Sequence, residues 1–568
     1  MSDTSFLSID IGPDSTRAFL FDAPDGTYRM LGSGKADTTL GAGQDVREGV
    51  YEALRILGRE SGVSLLTETK EIVLIAPDQE RNCKAALTFS AGKPLRTALV
   101  AISELYSLAA LCKLADPFDT KIVREVHLQD NLNSSAQLER LITSDADLFL
   151  IAGGTNDGAV KPLRSAIENV RVVYQNQPRG IKPQILFSGN AAMADYAASQ
   201  LDAGDDFHAS GNILPQIGQE ELQVAWKAML GAFRRLRRYE TPGLSALEEA
   251  LNAQMIPSSL ARSRIVRLLD KTNPDSKGVL ALEVQHGRVS VQGSRQNSYF
   301  SSHTPYRITR EMFEKVRYWC SQEVDLENVA AYLQTKENYP NFSPVSIEDQ
   351  AIEQAWTKVR LQQTLQDCLA LNPDFGFSPE QGLTGGYEPV ILSGDGLGED
   401  QNLFHTLINA LDGLQPLGIT TLVLDHHQVL AALGALAELE PLLPVQVIDG
   451  GILENLGTVV CADSPDRPGR KVMTVEMDLG ASEREHITVL KSELKRIELP
   501  RGQRTRLYLS PRPNCDIGMG ETGLGGWVTV SEAAVGLVID GRGRPVRLPA
   551  DDKRRSEMLE SWQWEVNE

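Results

Sequence analysis

Apolar and polar positions alternate in short blocks along the first 240 residues, and the blocks predict strands and helices in turn. In Phe6–Asp22, FLSIDIGPDSTRAFLFD, two apolar runs flank a polar stretch that holds Asp10, Gly12, Pro13, Asp14, Ser15, Thr16 and Arg17. Strand formers on both sides predict two strands joined by a tight loop. From Asp45 to Gly58, the side chains of Val46, Val50, Ala53, Leu54 and Leu57 share one helix face, with Gly62 near the expected C-cap. Compact apolar runs at Glu71–Ala76, Leu148–Ala152 and Gln184–Phe187 predict strands. Ser103–Leu114, with Leu105, Leu108, Ala109 and Cys112 inward, and Val160–Val170 predict helices. Polar glycine loops, Gly153–Gly158 and Ser188–Asn190, follow two of the strands. This order predicts parallel sheets with sites at the strand carboxyl ends. Glu220–Tyr239 reads as a long helix whose Arg234, Arg235, Arg237 and Arg238 could bind an anion, the favoured reading being a solvated face suited to the negative end of the dipole. Thr241, Pro242 and Gly243 break the pattern.

A second α/β segment runs from about Ser263 to Asp463. Its predicted strands are Gly278–Val284, Glu388–Leu392 and Thr420–Leu424; helices follow at Asn402–Leu411 and around Val429–Leu436, and Thr304–Lys358 is polar and mostly helical. From about Arg467, short alternating strands separated by Pro and Gly take over: Lys471–Val475, His486–Leu490, Thr505–Leu509, Gly526–Val530 and Val535–Ile539. The expected organisation is a first lobe over 1–240 with an α/β insertion from about 65, a second lobe over 241–465, an all-β domain over 466–550 and a charged, helical tail over 551–568 carrying Trp562 and Trp564.

Composition narrows the class. A chain of 568 residues with 42% hydrophobic and 23% charged residues can build a large globular core. A net charge of -20 argues against a nucleic-acid backbone or an anionic membrane as partner. No charged start precedes an apolar run, and no stretch reaches the ~20 apolar residues that span a bilayer. The six cysteines form no C-x-x-C pair, which fits reduced thiols. A cytoplasmic protein is expected.

Three strings bear on chemistry. Gly518–Gly523 is a literal G-x-G-x-x-G, but it follows a Pro-rich turn and precedes a strand, so a hairpin loop is expected rather than a dinucleotide site. Asp425-His426-His427 ends an apolar strand and could ligate metal in a DHH-type phosphoesterase, although the other histidines are scattered. The third string is distributed. The Asp10–Arg17 loop, the Gly278–Val289 strand and turn and the Ser393–Gly398 loop, in that order, fit a two-lobed nucleotide clamp. A glycine lets the backbone approach a ligand, hydroxyls and a cation can cradle phosphate, and a carboxylate can hold hydrated Mg²⁺.

On these segments the chain resembles the glutamate-mutase-associated L protein family, unrelated to the mismatch-repair protein of similar name. FLSIDIGPDSTRAFLFD looks like the first phosphate loop of the actin, heat-shock ATPase and sugar-kinase superfold. LFLIAGGTNDGAVKPL (Leu148–Leu163), ILFSGNAAM (Ile185–Met193) and GNILPQIG (Gly211–Gly218) resemble the family's own segments, and VILSGDGLG (Val390–Gly398) stands at the place of its adenosine loop. The resemblance implies a two-lobed actin-like ATPase (ribonuclease-H-like) α/β fold with an insertion and a small C-terminal all-β domain. It implies ATP with Mg²⁺, an adenosylcobalamin-dependent mutase subunit as partner, and a reactivase or chaperone role; a homo-oligomer is a further expectation. By the same resemblance, Asp10 would hold Mg²⁺ through water, Gly12, Ser15, Thr16 and Arg17 would contact phosphate, Gly394 and Gly396 would flank the nucleoside, and Glu283 would position a water.

The chain also departs from the superfold's pattern. In the second phosphate loop Glu283 replaces an Asp, and Gln285 and His286 replace a glycine pair; Asp14 replaces a hydroxyl in the first loop, and Asp395 interrupts the adenosine glycines. A repulsive carboxylate or a lost cradle costs about 1–3 kcal/mol each. A degenerate member with weak or absent hydrolysis is therefore expected, the alternative being an active ATP-hydrolysing reactivase.

Overall fold

The computed structural model describes residues 4–41, 43–74, 82–158, 160–177, 182–272, 277–285, 287–296, 298–305, 308–339, 342–398, 402–478, 484–499 and 504–567. The chain forms two compact units, one from residues 1–262 with 431–446 and the other from 263–430 with 447–568.

In the first unit, β1 (Thr4–Ile11), β2 (Ser15–Asp22) and β3 (Arg29–Asp37) form an antiparallel meander. β1 and β2 are buried along nearly their whole length, which explains their continuous apolar runs. Helix α1 (Val46–Ser61) starts at Asp45, whose side chain accepts the Arg47 N–H, and stops at Gly62 in the left-handed conformation. Such an N-cap is worth about 1 kcal/mol. The expected apolar stripe of α1 is buried, and Gly34 of β3 lets the helix approach, since a Cβ there would lie 2.0 Å from the Ala53 carbonyl oxygen. β4 (Asn82–Phe89) then pairs parallel with β1. This corrects the strand expected at Glu71–Ala76: residues 71–74 lie outside any named strand, and 75 and 76 fall outside the described residues.

The insertion follows. β5 (Leu95–Ala101), β6 (Thr120–Val126), β7 (Leu148–Ala152), β8 (Gln184–Phe187) and β9 (Phe207–Ala209) make an all-parallel sheet in the order β6-β5-β7-β8-β9. It carries α2 (Ala109–Ala115), α3 (Ser134–Ile142), α4 (Lys161–Asn176), α5 (Ala194–Leu201) and α6 (Gln223–Glu240). Alternate residues serve two cores. Leu99 and Leu150 join the core shared with β1 and α6, whereas Val100, Phe149 and Ile151 pack with Ile167 and Val170 of α4. The helix expected at Ser103–Leu114 is instead a π-turn, Glu104–Leu108, running into α2, and Leu105 points outward at 77% exposure. One arginine of α6 differs from expectation, while Arg235 and Arg238 are exposed. Arg237 is 1% exposed and donates to the Lys93 carbonyl (2.7 Å) and to Asp119 (3.3 Å). After α7 (Leu244–Leu251), the short β10 (Ile256–Pro257) pairs parallel with β4 and leads into α8 (Ser258–Thr272). The first sheet therefore has the order β10-β4-β1-β2-β3.

The second unit repeats this plan. β11 (Val279–Val284), β12 (Arg288–Arg295) and β13 (Ser298–Pro305) form a meander. A helical stretch follows, with α9 (Arg310–Trp319), α10 (Leu326–Asn338) and α11 (Ile347–Leu371), the last begun by a capping box between Ser346 and Asp349. After a short ribbon of β14 (Phe377–Ser378) and β15 (Gly382–Leu383), β16 (Val390–Ser393) pairs parallel with β11. α12 (Asp395–Gly398) and α13 (Leu403–Leu414) precede β17 (Gly418–Leu424), which pairs parallel with β16. The order β13-β12-β11-β16-β17 reproduces the first sheet strand for strand. A ribonuclease-H-like sheet thus occurs twice, which is the plan of the actin-like ATPase fold.

The remaining elements are α14 (Leu430–Leu436), α15 (Leu442–Asp449), β18 (Glu454–Cys461), β19 (Lys471–Asp478), β20 (Arg484–Leu490), β21 (Leu494–Ile497), β22 (Thr505–Pro511), β23 (Gly526–Val530), β24 (Gly536–Asp540) and α16 (Asp552–Asn567). The C-terminal strands divide. Four form an antiparallel sheet, β20-β19-β22-β23, while β24 and β21 extend the main sheet beyond β18. Gly518–Gly523 lies between the antiparallel partners β22 and β23, as a hairpin loop should.

Candidate functional site

The two meander turns can be compared residue by residue. Ile11 pairs with Thr16 and Val284 pairs with Val289, the same spacing across each turn. Gly12 N–H donates to the Ser15 carbonyl (3.0 Å), and Gln285 N–H donates to the Arg288 carbonyl (3.0 Å). Glu283 thus occupies the position of Asp10 and Gln285 that of Gly12, while Arg288, Val289 and Ser290 stand where the first turn has Ser15, Thr16 and Arg17. The equivalence extends to the neighbouring strand. Thr88 sits beside Asp10 and Ser393 beside Glu283. The Thr88 hydroxyl lies 3.4 Å from the Ile9 carbonyl oxygen, and the Ser393 hydroxyl lies 3.2 Å from the corresponding Leu282 oxygen.

At the first turn, Asp10 is 5% exposed, and its Oδ1 accepts from Thr88 Oγ1 (2.6 Å) and Ser258 Oγ (2.6 Å). The two hydroxyls come from β4 and the start of α8. Because both converge on Oδ1, Oδ2 is the oxygen suited to a hydrated cation, the manner in which Mg²⁺ is usually held. Thr16 is fully buried, with its hydroxyl 2.9 Å from that of Thr38, which also donates to the Gly12 carbonyl (2.9 Å). Gly12 is required sterically, since a Cβ would stand 2.8 Å from the Ser15 carbonyl oxygen. An Arg17 guanidinium nitrogen lies 3.9 Å from that same point, so the cation is beside the turn, and Ser15 and Arg17 are both buried. Thr38, Thr88 and Ser258 were not expected at this site. Single Ser and Thr residues carry no spacing signal, and only the parallel pairing of β1 with β4 brings Thr88 to Asp10.

At the second turn, Glu283 and Gln285 are 4% and 5% exposed. Arg360 of α11 donates to the Gln285 carbonyl (2.7 Å) and lies over the Trp356 ring. Gln285 Oε1 has no hydrogen-bond partner among the described residues. His286 lies outside the described residues. Gly394 has φ +95, and a Cβ there would stand 2.3 Å from the Val284 carbonyl oxygen; at Gly396 a Cβ would meet Val284 Cγ1 at 2.6 Å. Both glycines let the α12 turn lie on the end of β11. Asp395 between them is 7% exposed and accepts from Gln428 Nε2 (2.6 Å). A cavity of about 590 Å³, wholly within the second unit, opens beside Asp395, Gly396 and Leu397.

The segments at Leu148–Leu163, Ile185–Met193 and Gly211–Gly218 meet at the carboxyl ends of β7 and β8. Asn190 N–H donates to the Gly153 carbonyl (3.0 Å), Asn212 Nδ2 to the Gly154 carbonyl (2.9 Å) and Ile213 N–H to the Ser188 carbonyl (3.1 Å). Gly153, at φ +149, leaves room for Ile102, whose Cγ1 would stand 2.5 Å from a Cβ. At the histidine pair, His426 lies against Glu454. Asp425 is fully buried and accepts the Val429 (3.0 Å) and Leu430 (3.2 Å) N–H groups. Among the described residues, no group of three His, Cys, Asp or Glu side chains could hold a metal. No helix among them is long and apolar enough to cross a membrane.

A family model described as MutL protein matches residues 6–286. A search of curated proteins finds no match. Similar solved structures include nucleotide-free acetone carboxylase, from work on ATP-dependent acetone carboxylation (10% identity, 85% of this chain and 80% of that one, TM-score 0.34). The nucleotide-free diol dehydratase-reactivating factor is 11% identical over 77% of this chain and 100% of that one, with TM-score 0.32. A glycerol dehydratase reactivase is 10% identical over 72% and 95%, with TM-score 0.28.

Proposed function

We propose, from the match of residues 6–286 to the MutL protein family, that the chain is a glutamate-mutase-associated L protein that serves an adenosylcobalamin-dependent mutase as a reactivase-like or scaffold partner, binding Mg-ATP but hydrolysing it weakly or not at all. The observation that carries this reading is the contrast between two equivalent turns. The first keeps a carboxylate, a glycine and two hydroxyl residues: Asp10, Gly12, Ser15 and Thr16. The second puts Glu283, Gln285, Arg288 and Val289 in those places.

In the first turn, Asp10 would hold Mg²⁺ through water by Oδ2, and Gly12 and Ser15 would lie along the phosphates with Arg17 supplying positive charge. Thr16 would act through the turn rather than through phosphate, because its hydroxyl is already joined to Thr38. Bound Mg-ATP would supply a hydrolysable phosphoanhydride. In the second turn, Gln285 carries a side chain where the first turn has glycine, and the Gln285 carbonyl is fixed by Arg360. Glu283 remains as the group to position a water. Gly394 and Gly396, together with the cavity beside them, would receive the nucleoside.

An active reactivase is the second reading, favoured by the preserved Asp10-x-Gly12. Calorimetry with Mg-ATP on the full chain and on Asp10→Ala tests the shared part. The expected result is binding that is lost in the variant, with phosphate release near the buffer rate. Absence of binding to the unaltered protein sinks the nucleotide reading. Asp10-dependent turnover would transfer the conclusion to the second.

A further inference from the structure

We propose that two copies of this chain pair through the open edge of β23, in register about Val528. The proposal stands apart from the nucleotide reading and rests on the C-terminal antiparallel sheet alone. In that sheet, β20-β19-β22-β23, the two outer strands differ. β20 carries the exposed Glu485 and His486, and its pairing with β19 is broken by a register shift between Lys471 and Met473. Charge and irregularity of this kind keep an edge from pairing. β23, with the sequence GWVTV, has no charge, no proline and no register shift. Among the described residues, no strand pairs with its other side.

The alternation of ladder bonds decides which backbone groups reach that side. Arg512 N–H donates to the Val472 carbonyl (2.8 Å), so Arg506, Tyr508 and Ser510 of β22 bond toward β19. Thr505, Leu507 and Leu509 therefore bond toward β23, to Val530, Val528 and Gly526. In keeping with this, the Leu509 carbonyl oxygen lies only 2.1 Å from where a Cβ of Gly525 would stand. The N–H and C=O groups of Trp527 and Thr529 are left directed at the open edge.

This edge is complementary to itself. About a two-fold axis through Val528, Trp527 lies opposite Thr529 of the second copy, and Thr529 opposite its Trp527, so each outward N–H meets a C=O. An aromatic ring facing a β-branched side chain is a favourable cross-strand pair, and no like charges are opposed within the strand. Trp527 is 45% exposed yet already ordered, with its ring 5.3 Å from that of Tyr508 and Arg506 over it at 4.8 Å. On the inner face, Val528 and Met519 are only half-buried at the margin of the core around Val475 and Leu507. Two Val528 side chains meeting across the axis would complete that core.

Sedimentation equilibrium of the full chain is expected to give twice the mass of one chain. Thr529→Pro removes an outward N–H and no internal bond, and Thr529→Lys charges the edge. Each should give the single-chain mass with an unaltered circular dichroism spectrum. Val528→Cys should form an intermolecular disulfide under mild oxidation, because the two positions make a non-hydrogen-bonded pair about 4.5 Å apart at Cα. Thr529→Cys, opposite Trp527, should not. A monomeric unaltered chain, a dimer that survives both Thr529→Pro and Thr529→Lys, or cross-linking through Thr529→Cys but not Val528→Cys overturns the proposal.

Discussion

Asp10 is recognisable in the sequence as a carboxylate before a glycine turn, but its setting depends on Thr88 and Ser258, which lie 78 and 248 positions away. Thr88→Val keeps the shape of the side chain and removes one of the two donors. Affinity for Mg-ATP should fall by about tenfold, the worth of one hydrogen bond to a charged group, with the melting point little changed; calorimetry beside thermal unfolding checks it. Gly394 is a different kind of residue. Its φ of +95 and the 2.3 Å approach to Val284 make any side chain strained. Gly394→Ala should cost about 1–3 kcal/mol in denaturant unfolding. An unaltered midpoint would show that α12 is free to move off β11.

Single elements are held by buried charge as well as by apolar stripes. Lys358 of α11 lies 2.9 Å from Asp412 of α13, and Arg542 joins Asp412 (2.8 Å) to Asp540 (2.8 Å), which also receives Arg544 (3.0 Å). The chain just after β24 is thereby tied to two helices. Burial alone would raise the Asp540 carboxyl, but Arg542 and Arg544 outweigh it and hold it well below the ordinary 3.8. Against the same penalty of burial, Lys358 and Arg542 hold Asp412 low. Groups with folded pKa values below their unfolded ones contribute stability that is whole above about pH 4 and lost as pH falls through the folded values. Urea midpoints from pH 6 to pH 3 should therefore drop below about pH 4. Asp412→Ala, which strips Lys358 of its buried carboxylate, should cost about 3–5 kcal/mol at pH 7.

The molecule as a whole contains the same sheet order twice, and each unit has an apolar core of its own, one around Trp356 and Leu282 and one around Ile9 and Phe233. Separate cores predict unfolding that departs from a single two-state transition. Calorimetric enthalpy should exceed the van't Hoff value, and Gly394→Ala should shift only the transition of the second unit. One sharp transition with matching enthalpies would contradict this.

Much of the architecture was legible from periodicity, because alternation and helical stripes report which face of an element is buried. The strands of Phe6–Asp22, the stripe of α1 and the C-terminal strands were found that way, and the linked segments around Gly153, Asn190 and Gly211 pointed to one family. Periodicity is local, however. It could not show that Arg237 is sealed against Asp119, that β24 leaves its neighbours for the main sheet, or that the chain after β4 reaches Asp10 through Ser258. Sheet register decided those points, since pairing brings together residues far apart in sequence. The same register places Gln285 over the position of Gly12, and so makes the difference between the two turns a matter of one side chain rather than of a motif.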